Sequence, residues 1–245
     1  MSGQIEPDPI NAAAASIPDC PHCQKPQPVC VCDGIMPIEN RVSLLILQHP
    51  QEQDRALGTA RLTVMHLKNA ALKIGLSWPS LSKALGRQVA DSSRWAVLYL
   101  GSARAADLGT DREIVAINRK GEVEENQSGI LKKIEGVVLL DGTWSQAKAL
   151  WWRNAWMLKC QRVILGPSRP SLYGKLRREP RRDGLSTIEA AAMILGVLEQ
   201  RPEIAEALHG SFERLLANYR QFQGEQPAAP RAPRARRAFR HRKRQ

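Results

Sequence analysis

Val137-Val-Leu-Leu-Asp-Gly-Thr-Trp144 is the stretch on which the reading of this chain turns. Four consecutive branched apolar residues predict a strand buried on both faces, the pattern of a parallel sheet covered by helices. The run stops at the turn pair Asp141-Gly142. Thr143-Trp-Ser-Gln146 then has the form of a capping box, with Thr143 as N-cap and Gln146 folding back. The helix that follows places Ala147, Leu150, Trp151, Ala155 and Leu158 on one face at 3–4 spacing. Asp141 is therefore expected at the carboxyl end of a central strand, beside the positive end of a helix. In open α/β sheets that is where ligands bind. A lone Asp-Gly after a strand more often just closes a turn, so the functional reading rests on what surrounds it.

Working outward, Arg162-Val-Ile-Leu-Gly166 reads as a further buried strand ending in Gly166-Pro167-Ser168, with Cys160 before it as a small apolar residue. Residues Ser171 to Asp183 form a basic loop. Ser186 and Glu189 fit a second capping box, opening an Ala-rich helix that runs to about Gln200. Another helix is expected over Glu203 to Phe222, with Leu208, Phe212, Leu215, Leu216 and Tyr219 clustered. On the other side, Arg41 to Leu47 reads as the first strand, ending at Gln48-His49-Pro50. His49 there reads as a turn histidine more than a ligand. A helix opens near Gly58, with Thr59 as its cap and Leu62, Met65, His66 and Asn69 on one side. Arg94 to Gly101 predicts another strand, and Ile114 to Ile117 a short edge strand, followed by a polar loop from Asn118 to Ser128. Trp151, Trp152 and Trp156 crowd the helix after Trp144 and suggest packing first, base stacking second.

The net charge of +12 and the pI near 9.9 call for a polyanionic partner, nucleic acid before an anionic membrane surface. Most of the excess comes from Arg231, Arg234, Arg236, Arg237, Arg240, Arg242, Lys243 and Arg244 near the end of the chain. Such an arm raises phosphate affinity without reading bases. No apolar run reaches the roughly 18 residues of a membrane span, and no basic region precedes Ala12 to Ala15, so neither a membrane protein nor a secreted one is expected.

Four of the five cysteines fall within thirteen residues, as Cys20-Pro-His-Cys23 and Cys30-Val-Cys32. That spacing suits a structural Zn²⁺ held by Cys20, Cys23, Cys30 and Cys32 in a reducing, cytoplasmic compartment rather than a disulfide framework. An all-thiolate site leaves no open position, so the knuckle is read as supporting folding or RNA contact. The expected organisation is a disordered leader over residues 1–18, a zinc knuckle over 19–34, a catalytic α/β domain over 35–222 and a disordered basic tail over 223–245.

Taken in order, Cys20-x-x-Cys23 with Cys30-x-Cys32, His49-Pro50 with Thr59-Ala-Arg61-Leu62, Asp141-Gly-Thr-Trp144, Ser171-Leu-Tyr-Gly-Lys-Leu-Arg177 and Leu185-Ser-Thr-Ile-Glu-Ala190 resemble the DTW-domain family, the tRNA-uridine aminocarboxypropyltransferases. The matching segments cover most of residues 20 to 200. One departure is Gly58, where family members usually carry Asn, so this chain has no side-chain amide at that position.

The resemblance implies a SPOUT-like α/β fold with a parallel sheet and flanking helices, related to the trefoil-knotted RNA methyltransferases. It also implies S-adenosylmethionine as cofactor and tRNA as partner. The implied reaction moves the 3-amino-3-carboxypropyl group to N3 of a uridine and releases 5′-methylthioadenosine. On that basis Asp141, Thr143 and Trp144 are the candidate catalytic residues. Leu140, Asp141, Leu165, Gly166, Pro167, Ser168, Leu185, Ser186 and Thr187 are candidates for holding the cofactor at strand ends and helix N-termini. Arg61, Tyr173, Arg177, Arg178, Arg234, Arg236, Arg237 and Arg240 are candidates for RNA contact. Asp141 is expected either to accept the uridine proton or to hold the cofactor's amine. Thr143 and Trp144 serve capping and packing first. The competing readings are a SPOUT-type RNA methyltransferase and a non-catalytic zinc-containing RNA-binding protein. Whether the chain is a monomer or a homodimer is left open.

Overall fold

The computed structural model describes residues 17–53, 55–98, 112–167, 169–174, 176 and 184–225. Its centre is a six-stranded sheet. The strands are β1 (Ser43–Gln48), β2 (Ala70–Ile74), β3 (Trp95–Leu98), β4 (Ile114–Ile117), β5 (Gly136–Asp141) and β6 (Gln161–Leu165), in the order β2-β1-β5-β3-β6-β4. Every neighbouring pair is parallel except β4 with β6. The short run Ile114 to Ile117 is thus an edge strand, as its sequence predicts.

Alternation along the strands divides the core between two faces. Leu44 and Ile46 of β1, Ala96 of β3 and Val137 and Leu139 of β5 turn to one side. There they meet α1 (Ala60–Met65), α5 (Thr187–Glu199) and α6 (Pro202–Glu225). Leu45, Leu47, Trp95, Val97 and Val138 turn to the other, against α2 (Leu81–Leu85) and the 3-10 turn Ala155–Lys159 that follows α4 (Trp144–Arg153). A further short helix, α3 (Gln127–Lys132), leads into β5. Val137, Val138 and Leu139 are buried, each contributing on the order of 1.5–3 kcal/mol. The sheet's central strand is therefore the unbroken apolar run that the sequence displays. Gly136 at its start is required by space: a Cβ there would lie 2.6 Å from the Trp95 ring.

The structure redraws several local expectations. The helix after Trp144 stops at Arg153 instead of continuing through Leu158, which is 49% exposed. Asn154 ends it. Its backbone leaves the helical region (φ −124°, ψ 67°), and its side-chain amide donates to Leu150 O at 2.7 Å and Leu76 O at 3.0 Å. The region from Ala70 to Leu85 contains β2 and α2, which no periodicity announces, because Ala70-Ala-Leu-Lys-Ile74 is too short and too rich in helix formers to read as a strand. The polar stretch after β4 closes through a bridge between Ile117 and Val123, and α3 opens inside it, capped by Asn126. Strand β3 is described to Leu98; Tyr99 to Gly101 lie outside the described residues. Both capping boxes, Thr143 with Gln146 and Ser186 with Glu189, form as expected.

Candidate active site

Gln48 and Asp141 end adjacent parallel strands in register, so their side chains emerge together on the α5 side of the sheet. The Gln48 amide Nε2 donates to Asp141 Oδ2 at 2.7 Å, and the Thr187 hydroxyl donates to Oδ1. Both carboxylate oxygens are thus held by one donor each, which fixes the plane of the group and leaves each oxygen a further lone pair. The strand-end position follows from the sequence. The two partners, 93 and 46 residues away, do not.

Gly142 follows because the turn is tight. A Cβ at this position would approach Gln146 Cβ to 2.9 Å and His49 Cβ to 3.4 Å. Thr143 accepts from Gln146 N–H, and Gln146 Oε1 accepts from Thr143 N–H at 2.6 Å, so both side chains serve the helix start. Trp144 is half-buried and lies under the Lys148 ammonium, 6.0 Å from its ring centre. His49 caps the short turn Pro50–Glu52, its Nδ1 accepting from Gln51 N–H at 3.3 Å and its own N–H donating to Asp141 O at 2.9 Å.

Thr187 is held in place by a second set of contacts. Ser186 caps α5, and the Glu189 carboxylate, buried beneath it, accepts from Ser186 N–H at 2.8 Å, Ser186 Oγ at 2.6 Å, Ser171 Oγ at 2.6 Å and Leu172 N–H at 2.7 Å. The start of the basic loop is therefore tied to the first turn of α5. Thr59 stands at the N-cap position of α1 but makes no cap bond to its own helix. Its Oγ1 accepts instead from Ile188 N–H at 3.2 Å, joining α1 to the start of α5.

Two residues reach this region from places the sequence does not connect. The first is Tyr173, expected to contact RNA. It is only 2% exposed, donates its hydroxyl to Leu57 O at 2.7 Å and meets Phe212 edge-on at 5.0 Å. Its ring is core, and a base has no access to it. The second is Lys25, between the two cysteine pairs. It is 3% exposed and donates to Ala56 O at 2.8 Å and Gly58 O at 2.5 Å. Burial brings its ammonium down to about 8, opposed by the nearby Cys23 and Asp141 charges. Nothing in the sequence marks Lys25, since a lysine in a knuckle reads as solvent-facing. The carbonyls of Ala56, Leu57 and Gly58 are thus all tethered by side chains, which clamps the loop leading to Thr59.

Of the other candidate residues, Leu140, Leu165, Gly166, Pro167, Leu185 and Arg61 are half-buried around the strand ends and the starts of α1 and α5. The Ser186 side chain is consumed by capping. A groove of about 560 Å³ runs from Pro167, Leu172 and Leu185 along α5 past Met193 and Val197. Asp141 and Thr187 do not line it, although Pro167, Leu185 and Glu189 do. Ser168, Arg177, Arg178, Arg234, Arg236, Arg237 and Arg240 lie outside the described residues.

The four clustered cysteines do come together. Cys20 Sγ lies 3.8 Å from Cys32 Sγ, and Cys23 Sγ 3.8 Å from Cys30 Sγ, with all four sulfurs within 4.8 Å of one another. A tetrahedron with metal–sulfur bonds of about 2.3 Å has edges of about 3.8 Å, so the spacing fits a Zn²⁺. It is far longer than the ~2.05 Å of a disulfide. Cys30 Sγ also accepts Cys32 N–H at 3.4 Å. Burial opposes ionisation of Cys20, but hydrogen bonds from the Cys23 and His22 backbone and from the Cys30 and Cys23 thiols outweigh it, bringing Cys20 down to about 6. Burial pushes Cys23 and Cys32 up. The knuckle packs into the main core through Val29 and Val31, and Asn218 of α6 donates to Cys30 O at 3.1 Å. Cys160 is buried apart from the cluster, where desolvation lifts it to about 12 and keeps it a thiol. No helix among the described residues is long and apolar enough to cross a membrane.

Comparison with known proteins places these features together. The family model described as the DTW domain matches residues 17–220, spanning the cysteine cluster, the Asp141 corner and most of α6. A Mus musculus protein named tRNA-uridine aminocarboxypropyltransferase 2 is 32% identical over 195 residues, 78% of this chain and 60% of that protein. The Macaca fascicularis protein of the same name is 31% identical over 195 residues, with the same shares. The Drosophila melanogaster one is 32% identical over 193 residues, 77% of this chain and 70% of that protein. The chain thus spans 60% of the length of the two mammalian relatives. No solved structure matches it.

Proposed function

The chain belongs to the DTW-domain family, and on that premise we propose that it transfers the 3-amino-3-carboxypropyl group of S-adenosylmethionine to N3 of a uridine in tRNA. The observation that carries this reading is the Asp141 carboxylate. It is fixed by Gln48 and Thr187 at the end of the central strand, between the starts of α4 and α5. The names of the relatives supply the reaction class.

When bound, S-adenosylmethionine supplies a sulfonium whose attached carbons are all electrophilic, so the product is decided by which carbon faces the nucleophile. This chain's part is to orient and to move one proton. Transfer to uridine N3 would release 5′-methylthioadenosine, and the N3 proton would have to pass to a base on this chain. Asp141 has a remaining lone pair on each oxygen for that proton or for the amino group of the transferred chain. Leu140, Leu165, Gly166, Pro167 and Leu185 offer apolar and backbone surface beside it. The first turn of α4 offers a helix N-terminus to a carboxylate. The cysteine knuckle holds Zn²⁺ structurally, and its reduced thiols suit the cytoplasm.

Mass spectrometry of nucleosides from unmodified tRNA incubated with the protein and S-adenosylmethionine tests the reaction. An aminocarboxypropyl-uridine with released 5′-methylthioadenosine is expected; a methylated nucleoside with S-adenosylhomocysteine would overturn the reading. The Asp141→Asn variant separates the two roles of the carboxylate. Transfer lost with cofactor affinity kept assigns Asp141 as the base, and affinity lost assigns it to the cofactor's amine.

A further inference from the structure

The outer face of α4 carries an aromatic and basic stripe that starts at the Asp141 corner and runs away from it. Ala147 and Leu150 turn this helix inward, so Trp144, Lys148 and Trp152, spaced four apart, share the opposite side. Trp152 is 77% exposed, unlike its neighbours Trp151, half-buried with the Arg162 guanidinium 5.6 Å from its ring, and Trp156, which is core.

Exposure here is not looseness. The helix end that presents Trp152 is pinned by the buried Asn154. Its Oδ1 accepts from Trp78 N–H at 2.8 Å and Trp156 Nε1–H at 3.3 Å, while its Nδ2 donates to Leu76 and Leu150. A large apolar ring left in water on a helix end that is itself pinned is a binding feature more than a packing one.

The charge of its own segment points to the partner. From Gly142 to Arg178 the sequence contains no Asp or Glu, while Lys148, Arg153 and Lys159 lie on α4 and the turn after it. An acidic protein surface would be served by these cations alone. A stacking ring set among them has the form of a single-stranded nucleic-acid platform, where aromatic faces take bases and cations take phosphates.

We propose that this face of α4 docks an unpaired nucleotide of the tRNA substrate, with Trp152 stacking on a base and Lys148 and Arg153 on the flanking phosphates. Trp152 lies eight residues, about 12 Å, along the helix from Trp144 at the Asp141 corner. It therefore grips the RNA beside the reacting uridine and not the uridine itself. The inference rests on the tRNA reading above.

The test uses the full chain with unmodified tRNA in an equilibrium binding assay and in the transfer assay. Trp152→Ala should weaken tRNA binding by about five- to a hundredfold, the range for losing one stacked base, and the transfer assay should show it in KM, not kcat. Trp152→Phe should recover a substantial part. Lys148→Ala with Arg153→Ala should lower the slope of log affinity against log salt by roughly one to two. An unchanged thermal midpoint for Trp152→Ala excludes a folding defect. Overturning results are unchanged tRNA affinity in Trp152→Ala, or a change in oligomeric state in place of affinity, which would make this face a protein interface. Failure of the wild-type chain to bind or modify tRNA would instead remove the tRNA reading.

Discussion

Glu189 is the residue whose replacement tests the architecture of the Asp141 corner most sharply. Three donors converge on its Oε2, Ser186 N–H at 2.8 Å, Ser186 Oγ at 2.6 Å and Ser171 Oγ at 2.6 Å, and Leu172 N–H meets Oε1 at 2.7 Å. Glutamine has the same shape but one oxygen. If its oxygen takes the three-donor position, its NH₂ faces the Leu172 N–H, donor against donor. The variant thus loses one charge-assisted bond outright, leaves a part-buried N–H unpaired and weakens the other three. Hydrogen bonds to a charged group are each worth about 1.5–3 kcal/mol and an orphaned buried donor costs about 1–3 kcal/mol, so Glu189→Gln should destabilise by about 2–4 kcal/mol. With a urea m-value of about 3 kcal/mol/M, the unfolding midpoint falls by about 1 M with m unchanged. Glu206→Gln, on an exposed face of α6, is the control and should stay within about 0.5 kcal/mol. If the two variants unfold at the same midpoint, the reasoning is refuted: Glu189 would not be what joins the Ser171 loop to α5.

Three further outcomes follow from buried groups. His66 is buried with its Nε2 unpartnered, and burial with the nearby Arg214 charge holds it below its ordinary value of 6.5. The unfolded chain therefore takes up a proton that the folded one resists, and stability is lost as pH falls below 6.5. The urea midpoint of His66→Leu should fall less between pH 7 and pH 5 than that of the wild type, and equal losses would count against this. Chelation should lower the thermal midpoint of the zinc-loaded protein, and zinc affinity should weaken as pH falls, because protons compete for the four sulfurs and burial already favours the thiol forms of Cys23 and Cys32. A purified, reduced protein with no bound zinc would contradict the tetrahedral reading. Lys25→Met removes both tethers on the Ala56 to Gly58 carbonyls. It should cost about 1–3 kcal/mol and reduce cofactor affinity measured calorimetrically with the metal content intact, whereas wild-type affinity in this variant would mean the loop holds its place without Lys25.

Much of the fold was legible where the signal is local. The apolar run Val137 to Leu140 became the central strand, with Asp141 as its last residue, and both capping boxes mark helix starts to the residue. The paired cysteines announced a cluster that closes to tetrahedral spacing. The misses have a common origin. β2 and α2 are short, and their residues favour no single conformation until Leu44 to Gln48 pairs with Ala70 to Ile74 and supplies the backbone partners. The helix after Trp144 ends one turn early because Asn154 finds partners across the fold at Leu76 and Trp78, which no local propensity foretells.

The sequence by itself determined an α/β chain with a four-cysteine knuckle and a carboxylate at a central strand end, because periodicity, capping and cysteine spacing act over a few residues. Tertiary structure alone decided what holds that carboxylate. Gln48 arrives through strand register, Thr187 through the packing of α5 on α1, and Lys25 from a knuckle more than thirty residues before the loop it clamps. It also decided that Tyr173 is core and Trp152 is surface. Two aromatic residues in basic surroundings look alike along the chain; which of them water can reach is settled only when helices and sheet close over one and leave the other outside.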